Sequence, residues 1–358
     1  MSIEFSIGTR LESGTPALLR APRLNRHTFW CGQSGSGKTY ALGVLLEQIL
    51  LHTRLPMVIL DPNSDFVKLD QVRDDAPAEV AAELADRDIR ILSLHGDDPL
   101  RVRFVDLEVR SRAAVLQLDP VLDAAEFNAM LRLDRERLMS IREPIVQWLR
   151  TSDDPLFQRN AIRLENLGVA GWDLWAWGGS DVTDVVDEKP DAVVVDLGSF
   201  ASAAQLQTTA LAVLDDLWAK RHERVGRLVV IDEAHNLAAP DAETPLARAV
   251  RDRIVQIAAE GRKYGIWLLL STQRPSKLHP NVISQCDNLA LMKMSSPRDL
   301  DELAQIFGFA PAEMLERSPG FAQGQALFAG GFAPEPQLVQ MGTRITPEGG
   351  SDVPVPVR

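Results

Sequence analysis

This sequence predicts an α/β fold with a parallel-sheet core. Three observations carry that expectation. Short apolar runs at His27–Cys31, Met57–Leu60, Ala192–Asp196 and Leu228–Ile231 recur between stretches of helical period. Leu228–Ile231 is apolar without alternation, as strands buried on both faces are. A glycine-rich octapeptide, Gly32–Thr39, joins the first run to the apolar-periodic stretch Ala41–Leu51.

In chain order, residues 1–26 carry proline and arginine without a clear period and read as an N-terminal arm. Residues 27–106 hold the first part of the core. Here the octapeptide Gly32-Gln33-Ser34-Gly35-Ser36-Gly37-Lys38-Thr39 fits G-x-x-x-x-G-K-[ST], the phosphate-binding loop. Gly32, Gly35 and Gly37 let the backbone turn tightly and aim N–H groups at an anion. Lys38 has the reach for β- and γ-phosphates, the Thr39 hydroxyl suits Mg²⁺, and the following helix adds its positive end. With Tyr40 behind it, this segment is the expected nucleotide-binding set, for ATP with Mg²⁺. An acidic helix near 77–86 and a short strand at Ile89–Leu94 complete this part.

Residues 107–190 break the alternation. Val121–Leu131 and Arg135–Leu149 have helical spacing, which predicts a mainly helical insertion. Trp172, Trp175 and Trp177 gather three of the seven tryptophans, as either an interface anchor or a bulky core cluster.

Residues 191–345 return to the core. A helix is expected from about Ala203 to Glu223, then Arg227–Leu237 ends a strand on Asp232-Glu233. An acid pair at the carboxyl end of a parallel strand lies where ligands bind in open α/β sheets. Asp232 is placed to hold Mg²⁺, and Glu233 to orient and deprotonate an attacking water. Gly265–Arg274 is a third strand ending in polar residues, and Gln273 has the reach of a γ-phosphate or the lytic water. A basic amphipathic helix from about Pro245 precedes it and ends in Glu260-Gly261-Arg262-Lys263-Tyr264. Another strand near Leu289–Met292 and a helix over Pro297–Phe307 follow. Residues 346–358 have the composition of a linker-like tail.

Composition sets the bounds. With 45% apolar and 25% charged residues the chain is ordinary for a soluble globular protein. No apolar run approaches the roughly 20 residues that span a bilayer, and the start Met1-Ser2-Ile3-Glu4-Phe5 has no secretory pattern. Two cysteines are too few for a disulfide framework, so a cytoplasmic protein without a membrane partner is expected. Six histidines without Cys/His spacing argue against a structural metal site. A net charge of −12 argues against a general nucleic-acid coat but leaves room for a local basic patch.

Together the motifs resemble the HerA-like branch of the FtsK/HerA superfamily of ring-forming DNA-pumping ATPases. The resemblance rests on residues 32–39, Ile231–Asn236, Glu260–Gly265, Ser271–Ser276 and Ile283–Asn288, with smaller matches at Leu60–Asn63 and Val195–Gly198. It implies a P-loop NTPase core of RecA-like, additional-strand catalytic-glutamate type. Lys38, Thr39, Asp232, Glu233 and Gln273 keep the roles argued above. Arg262 resembles the arginine finger that one subunit of such a ring supplies to the next. Lys263 is the fallback, with Arg142 and Arg274 as further alternatives, and a helix-terminal cation is the bland reading of Arg262. The resemblance implies a homo-hexamer. In that family the tail reaches a neighbouring subunit. Relatives that act with a nuclease carry a small β-barrel before the motor, for which 26 residues are too few. Shorter relatives resemble ATPase halves of anti-phage systems, which implies an effector partner such as a nuclease or a sirtuin-like NADase.

Two function classes therefore stand: a ring that moves along double-stranded DNA, and a ring that scaffolds and regulates an effector. A signalling NTPase is a third. Candidate DNA contacts are Lys220, Arg221, His222, Arg224 and Arg227, then Arg248, Arg251 and Arg253, and the loop Ser276–His279 with Lys277. The bland reading, a solvated helix face, outweighs the DNA reading for both basic runs.

Overall fold

The computed structural model describes residues 3–141, 143–176 and 179–350. Eleven strands form one sheet: β1 Glu4–Arg10, β2 Pro16–Arg20, β3 Thr28–Cys31, β4 Met57–Asp61, β5 Ile89–Leu92, β6 Ala192–Asp196, β7 Arg227–Ile231, β8 Ile266–Thr272, β9 Asn288–Leu291, β10 Gln325–Gly330 and β11 Gln337–Met341. Their order is β2-β1-β11-β10-β9-β3-β8-β7-β4-β6-β5. From β9 to β5 all neighbours run parallel, and β10, β11, β1 and β2 add an antiparallel wing. The sheet is therefore mixed and mostly parallel, flanked by helices, as the α/β expectation requires.

The parallel strands are buried on both faces because successive side chains point to opposite sides. Phe29, Cys31, Val58, Leu60, Val229 and Ile231 enter one core; Trp30, Met57, Ile59, Leu228 and Val230 enter the other. Helix α1, Lys38–His52, covers the second face with Ala41, Leu42, Leu45, Leu46 and Ile49. The helices Ala203–Ala219 and Pro245–Glu260 cover the first, together with the helices of residues 109–166. Each of these two long helices starts on a hydroxyl cap, Ser202 accepting from the Gln205 N–H and Thr244 from the Ala247 N–H. Cys31 and Cys286 are both buried free thiols.

Three segments differ from the sequence reading. Residues 1–26, read as an arm, contain β1 and β2, whose Phe5, Ile7, Ala17 and Leu19 are buried against the sheet. Their period-two alternation is only two residues deep in each strand, too short to stand out in the sequence. The helical spacing of Arg135–Leu149 divides into Arg135–Ser140 and Ile145–Thr151. Pro144 disfavours helical backbone in the residue before it and so breaks the run. Residues 346–350 of the expected tail pack against the body, with Thr346 buried. Residues 351–358, Arg142 and Trp177 lie outside the described residues.

Trp175 is buried, stacks on Trp172 at 5.7 Å and donates to the Val169 carbonyl at 2.6 Å, so these two form a core cluster. No helix among the described residues is long and apolar enough to cross a membrane.

Candidate nucleotide site

Gly32–Gly37 connects β3 to α1 at the carboxyl end of the parallel strands. Gly35 and Gly37 have φ of +77° and +82°, which only glycine adopts without strain. A Cβ on Gly32 would stand 2.7 Å from the Met292 Cβ, so packing against the end of β9 also demands glycine there. The loop is tied on both sides: the Gln33 N–H donates to the Lys293 carbonyl at 2.8 Å and the Gly324 N–H to the Ser36 carbonyl at 3.0 Å.

β8 lies between β3 and β7, so the polar end of the third strand stands between the phosphate loop and the acid pair. Lys38 Nζ donates to Asp232 Oδ1 at 2.9 Å and Ser271 Oγ at 2.9 Å, and lies 3.0 Å from Glu233 Oε1. All three charged side chains are buried. Burial opposes the charge on Lys38, but the carboxylates of Asp232 and Glu233 outweigh it and raise its pKa. Burial likewise opposes charge on Glu233, yet His235 and Lys38 draw its pKa down to about 2. Glu233 has φ of +43°, a left-handed backbone that costs a non-glycine residue energy and turns its carboxylate toward the loop. His235 Nδ1 stands 3.2 Å from Glu233 Oε2 and 3.0 Å from Thr272 Oγ1, which links the acid to the end of β8.

These residues open onto a polar cleft of about 1200 Å³, lined among others by Gln33, Ser34, Gly35, Gly37, Lys38, Thr39, Tyr40, Glu233 and Gln273. Seven of the nine expected nucleotide-binding residues thus line one cleft. Gly32 and Ser36 are buried beneath it. Asp61 and Asp65 were not singled out from the sequence. Carboxylate oxygens of Asp61, Asp65 and Asp232 lie within 4.8 Å of one another. Burial raises Asp61 to about 7 and, with the nearby Asp232 charge, Asp65 to about 6. Asp61 also accepts from the Asn63, Asp65 and Phe66 N–H groups, which fixes the turn after β4. The residues present fit Mg²⁺. Asp232 Oδ2 is buried without a hydrogen bond, Thr39 lines the same cleft, and an all-oxygen donor set suits a hard cation.

Arg262 is elsewhere. It is exposed in the turn Gly261–Tyr264 ahead of β8, paired with Asp287 ahead of β9. β8 has seven residues and spans about 20 Å, and the phosphate loop lies at its other end. Within one chain, then, Arg262 does not meet the cleft, and Lys263 is exposed on the same turn. Arg274 is exposed just after β8.

The proposed DNA contacts divide. Arg227 is buried and donates to the Val186 carbonyl, so it is removed from that set. Arg253 bridges Asp215 and Glu108, each at 2.7 Å, and Arg221 lies over the Trp218 ring at 4.7 Å; both act within the fold. Ser276 and Lys277 remain exposed on the loop after β8.

Fold and site together define a P-loop NTPase. Residues 5–160 match the family model described as "Helicase HerA, central domain", and the resemblance to HerA-like ATPases drawn from the motifs is borne out. The chain is similar to the DNA double-strand break repair helicase HerA of Pyrococcus furiosus, with 32% identity over 114 residues. That stretch covers 32% of this chain and 20% of the relative. It also aligns with "Probable helicase MJ1565" of Methanocaldococcus jannaschii, 21% identical over 339 residues, 92% of this chain and 64% of the relative. The alignments thus cover about a fifth of the HerA relative and under two thirds of the longer match. Among solved structures, VirB4 of Thermoanaerobacter pseudethanolicus has a TM-score of 0.67 at 15% identity, covering 95% of this chain and 96% of that one. The conjugative coupling protein TrwB gives 0.64 at 14%, covering 98% and 92%. These two likenesses show the fold.

Replacing Lys38 by Met leaves two buried carboxylates without their cation. Denaturant unfolding at pH 7 is expected to show a loss of about 3 kcal/mol, the scale for breaking a buried ion pair.

Proposed function

We propose that this chain is a Mg²⁺-dependent ATPase that assembles as a homo-hexameric ring and moves along double-stranded DNA. The observation that carries the reading is that Lys38, Glu233 and Gln273 line one polar cleft behind a glycine-rich loop, with the buried Asp232 accepting from Lys38 beneath it.

The residues divide the work. Backbone N–H groups of Gly35–Thr39 and the start of α1 receive the phosphates. Lys38 exchanges its carboxylate partners for the β- and γ-phosphates, a short swing for a flexible side chain. Glu233, ionised and held by His235, accepts the proton of a water whose oxygen attacks the γ-phosphorus as the bond to the bridging oxygen breaks. Gln273 orients that water or the γ-phosphate. Thr39 and Asp232 would hold Mg²⁺, which supplies charge neutralisation at the phosphates. Arg262 of one subunit reaches the nucleotide of the next, with Lys263, Arg274 and Arg142 as alternatives; its place at the far end of β8 supports a role between subunits.

DNA as the track is supported by the names of the relatives and by the exposed Arg274 and Lys277 on the loop after β8. Contacts of that kind engage phosphates without reading sequence. One observation favours the second reading, a ring that carries an effector. Among the described residues, six of the eight large exposed apolar side chains, Val121, Leu122, Leu131, Met139, Ile162 and Leu167, lie in the insertion, with Ile3 and Phe309 outside it.

ATP hydrolysis with and without linear duplex DNA, with particle masses from the same samples, tests the choice. The motor reading expects hexamers whose turnover rises severalfold with DNA. Rings whose turnover ignores DNA transfer the weight to the effector reading. Glu233→Gln is expected to bind ATP and turn it over at least about 100-fold more slowly; normal turnover in a steady-state assay removes Glu233 as the base. Arg262→Ala is expected to keep nucleotide affinity and lose turnover by about 1000-fold. Rings mixed from Arg262→Ala and Glu233→Gln subunits should recover part of it, and no recovery would place the finger elsewhere.

A further inference from the structure

The nucleotide cleft has a wall that the motifs do not supply. Beyond Tyr40 it is lined by Gln323, Gln340 and Met341, then by Pro347, Glu348 and Gly350. The last three belong to a strap, residues 342–350, that leaves β11 and runs along α1 to the turn after β4. Its course is fixed by side chains of α1. Tyr40 Oη accepts from the Arg344 N–H at 2.8 Å, and the buried Glu47 carboxylate accepts from the Ile345 and Thr346 N–H groups at 2.8 and 2.7 Å. The far end is held by the Gly349 N–H, which donates to the Asp65 carbonyl at 3.0 Å.

Arg344 is the fulcrum. Its side chain is fully buried, 3.7 Å from Glu47, with Nε donating to Thr346 Oγ1 at 3.1 Å and the guanidinium 5.4 Å from the centre of the Phe66 ring. Nη1 makes no hydrogen bond and lies 3.8 Å from Glu348, a cleft residue. A Cβ on Gly43 would stand 2.5 Å from Arg344 Nε, so α1 is kept bare there to admit the arginine. One buried cation thus joins α1, the Phe66 turn and the strap. A fully buried arginine is costly unless paired.

We infer that the strap forms the nucleoside wall of the triphosphate site in its own subunit, and that Arg344 is the positioning residue that holds the wall in place. This rests on the triphosphate reading of the phosphate loop. Three features carry it. The strap begins at Tyr40, directly behind the phosphate loop, so it continues the cleft away from Lys38. Its lining offers a proline face, a carboxylate that accepts from a hydroxyl, and beside it two side-chain amides, Gln323 and Gln340. That chemistry suits a ribose and a base, whereas an anionic Glu348 opposes a phosphate. Glu47 and Arg344 at the strap's fulcrum are buried, and the residues facing the cleft, Pro347, Glu348 and Gly350, are not.

The test compares ATP with inorganic triphosphate, both with Mg²⁺, by titration calorimetry on the full chain. Arg344→Met is expected to lower ATP affinity about tenfold and to leave inorganic triphosphate within about twofold. Pro347→Gly, which loosens the strap without touching the buried pair, is expected to act in the same direction and serves alone if Arg344→Met does not fold. Arg344→Lys, which keeps a cation beside Glu47, should recover part of the ATP affinity. Parallel loss of both ligands, no change in either, or an Arg344→Lys that behaves as Arg344→Met overturns the inference. Lys38→Ala separates the two readings, because it should lose both ligands; unchanged binding there means the triphosphate site itself is misassigned.

Discussion

Everything in the site depends on one buried cation held between two carboxylates. Lys38 lies among Asp232, Glu233 and Ser271 where the exposure of each charged group is below a tenth. Charges at such a depth persist only when paired, since desolvation alone would neutralise them. The pairing explains the sheet order around it. β8 must stand between β3 and β7 so that Ser271 and Thr272 can supply polar partners from the middle. It also explains why Glu233 tolerates a left-handed backbone: the cation and His235 repay the strain.

The chemistry-bearing residues were legible because each sits at a strand end, in a short motif whose residue types the chemistry dictates. Gly35 and Gly37 stand where φ is positive, and Asp232 and Glu233 stand where a continuous apolar run stops. The parallel core was legible for the same reason. The antiparallel wing was not. β1 and β2 each bury only two side chains, so their alternation is no longer than chance supplies, and β11, which joins β1 to the rest of the sheet, lies more than 300 residues away in sequence. The β1–β11 pairing is a tertiary contact, and strand propensity, which depends on the packing a strand meets, leaves it no local signature.

The cleft's second half was hidden for a related reason. Gln323 and Gln340 are ordinary polar residues in the sequence and become cleft residues only because β10 and β11 return beside the phosphate loop. The strap was masked by its composition. Thr346-Pro347-Glu348-Gly349-Gly350 reads as a linker, yet Gly349 serves packing: a Cβ there would stand 1.9 Å from the Ser64 carbonyl oxygen. The signal that could have revealed it was a pair of charged residues, Glu47 in the apolar run of α1 and Arg344 near the last strand. A charge embedded in an apolar period asks for a partner.

The position of Arg262 bears on what one subunit can do. Catalysis of phosphoryl transfer needs positive charge where negative charge develops, and Lys38 is the cation that the phosphate loop itself supplies. Arg73 also lines the cleft, but its guanidinium is engaged with Asp75 in two hydrogen bonds of 2.9 Å each. Arg262 stands at the opposite end of β8, beside Asp287 and Arg26, on a surface that faces away from its own nucleotide loop. Within one chain, then, Lys38 is the cation at the phosphate loop, and the Arg262 turn, paired with Asp287, stands at the opposite end of β8.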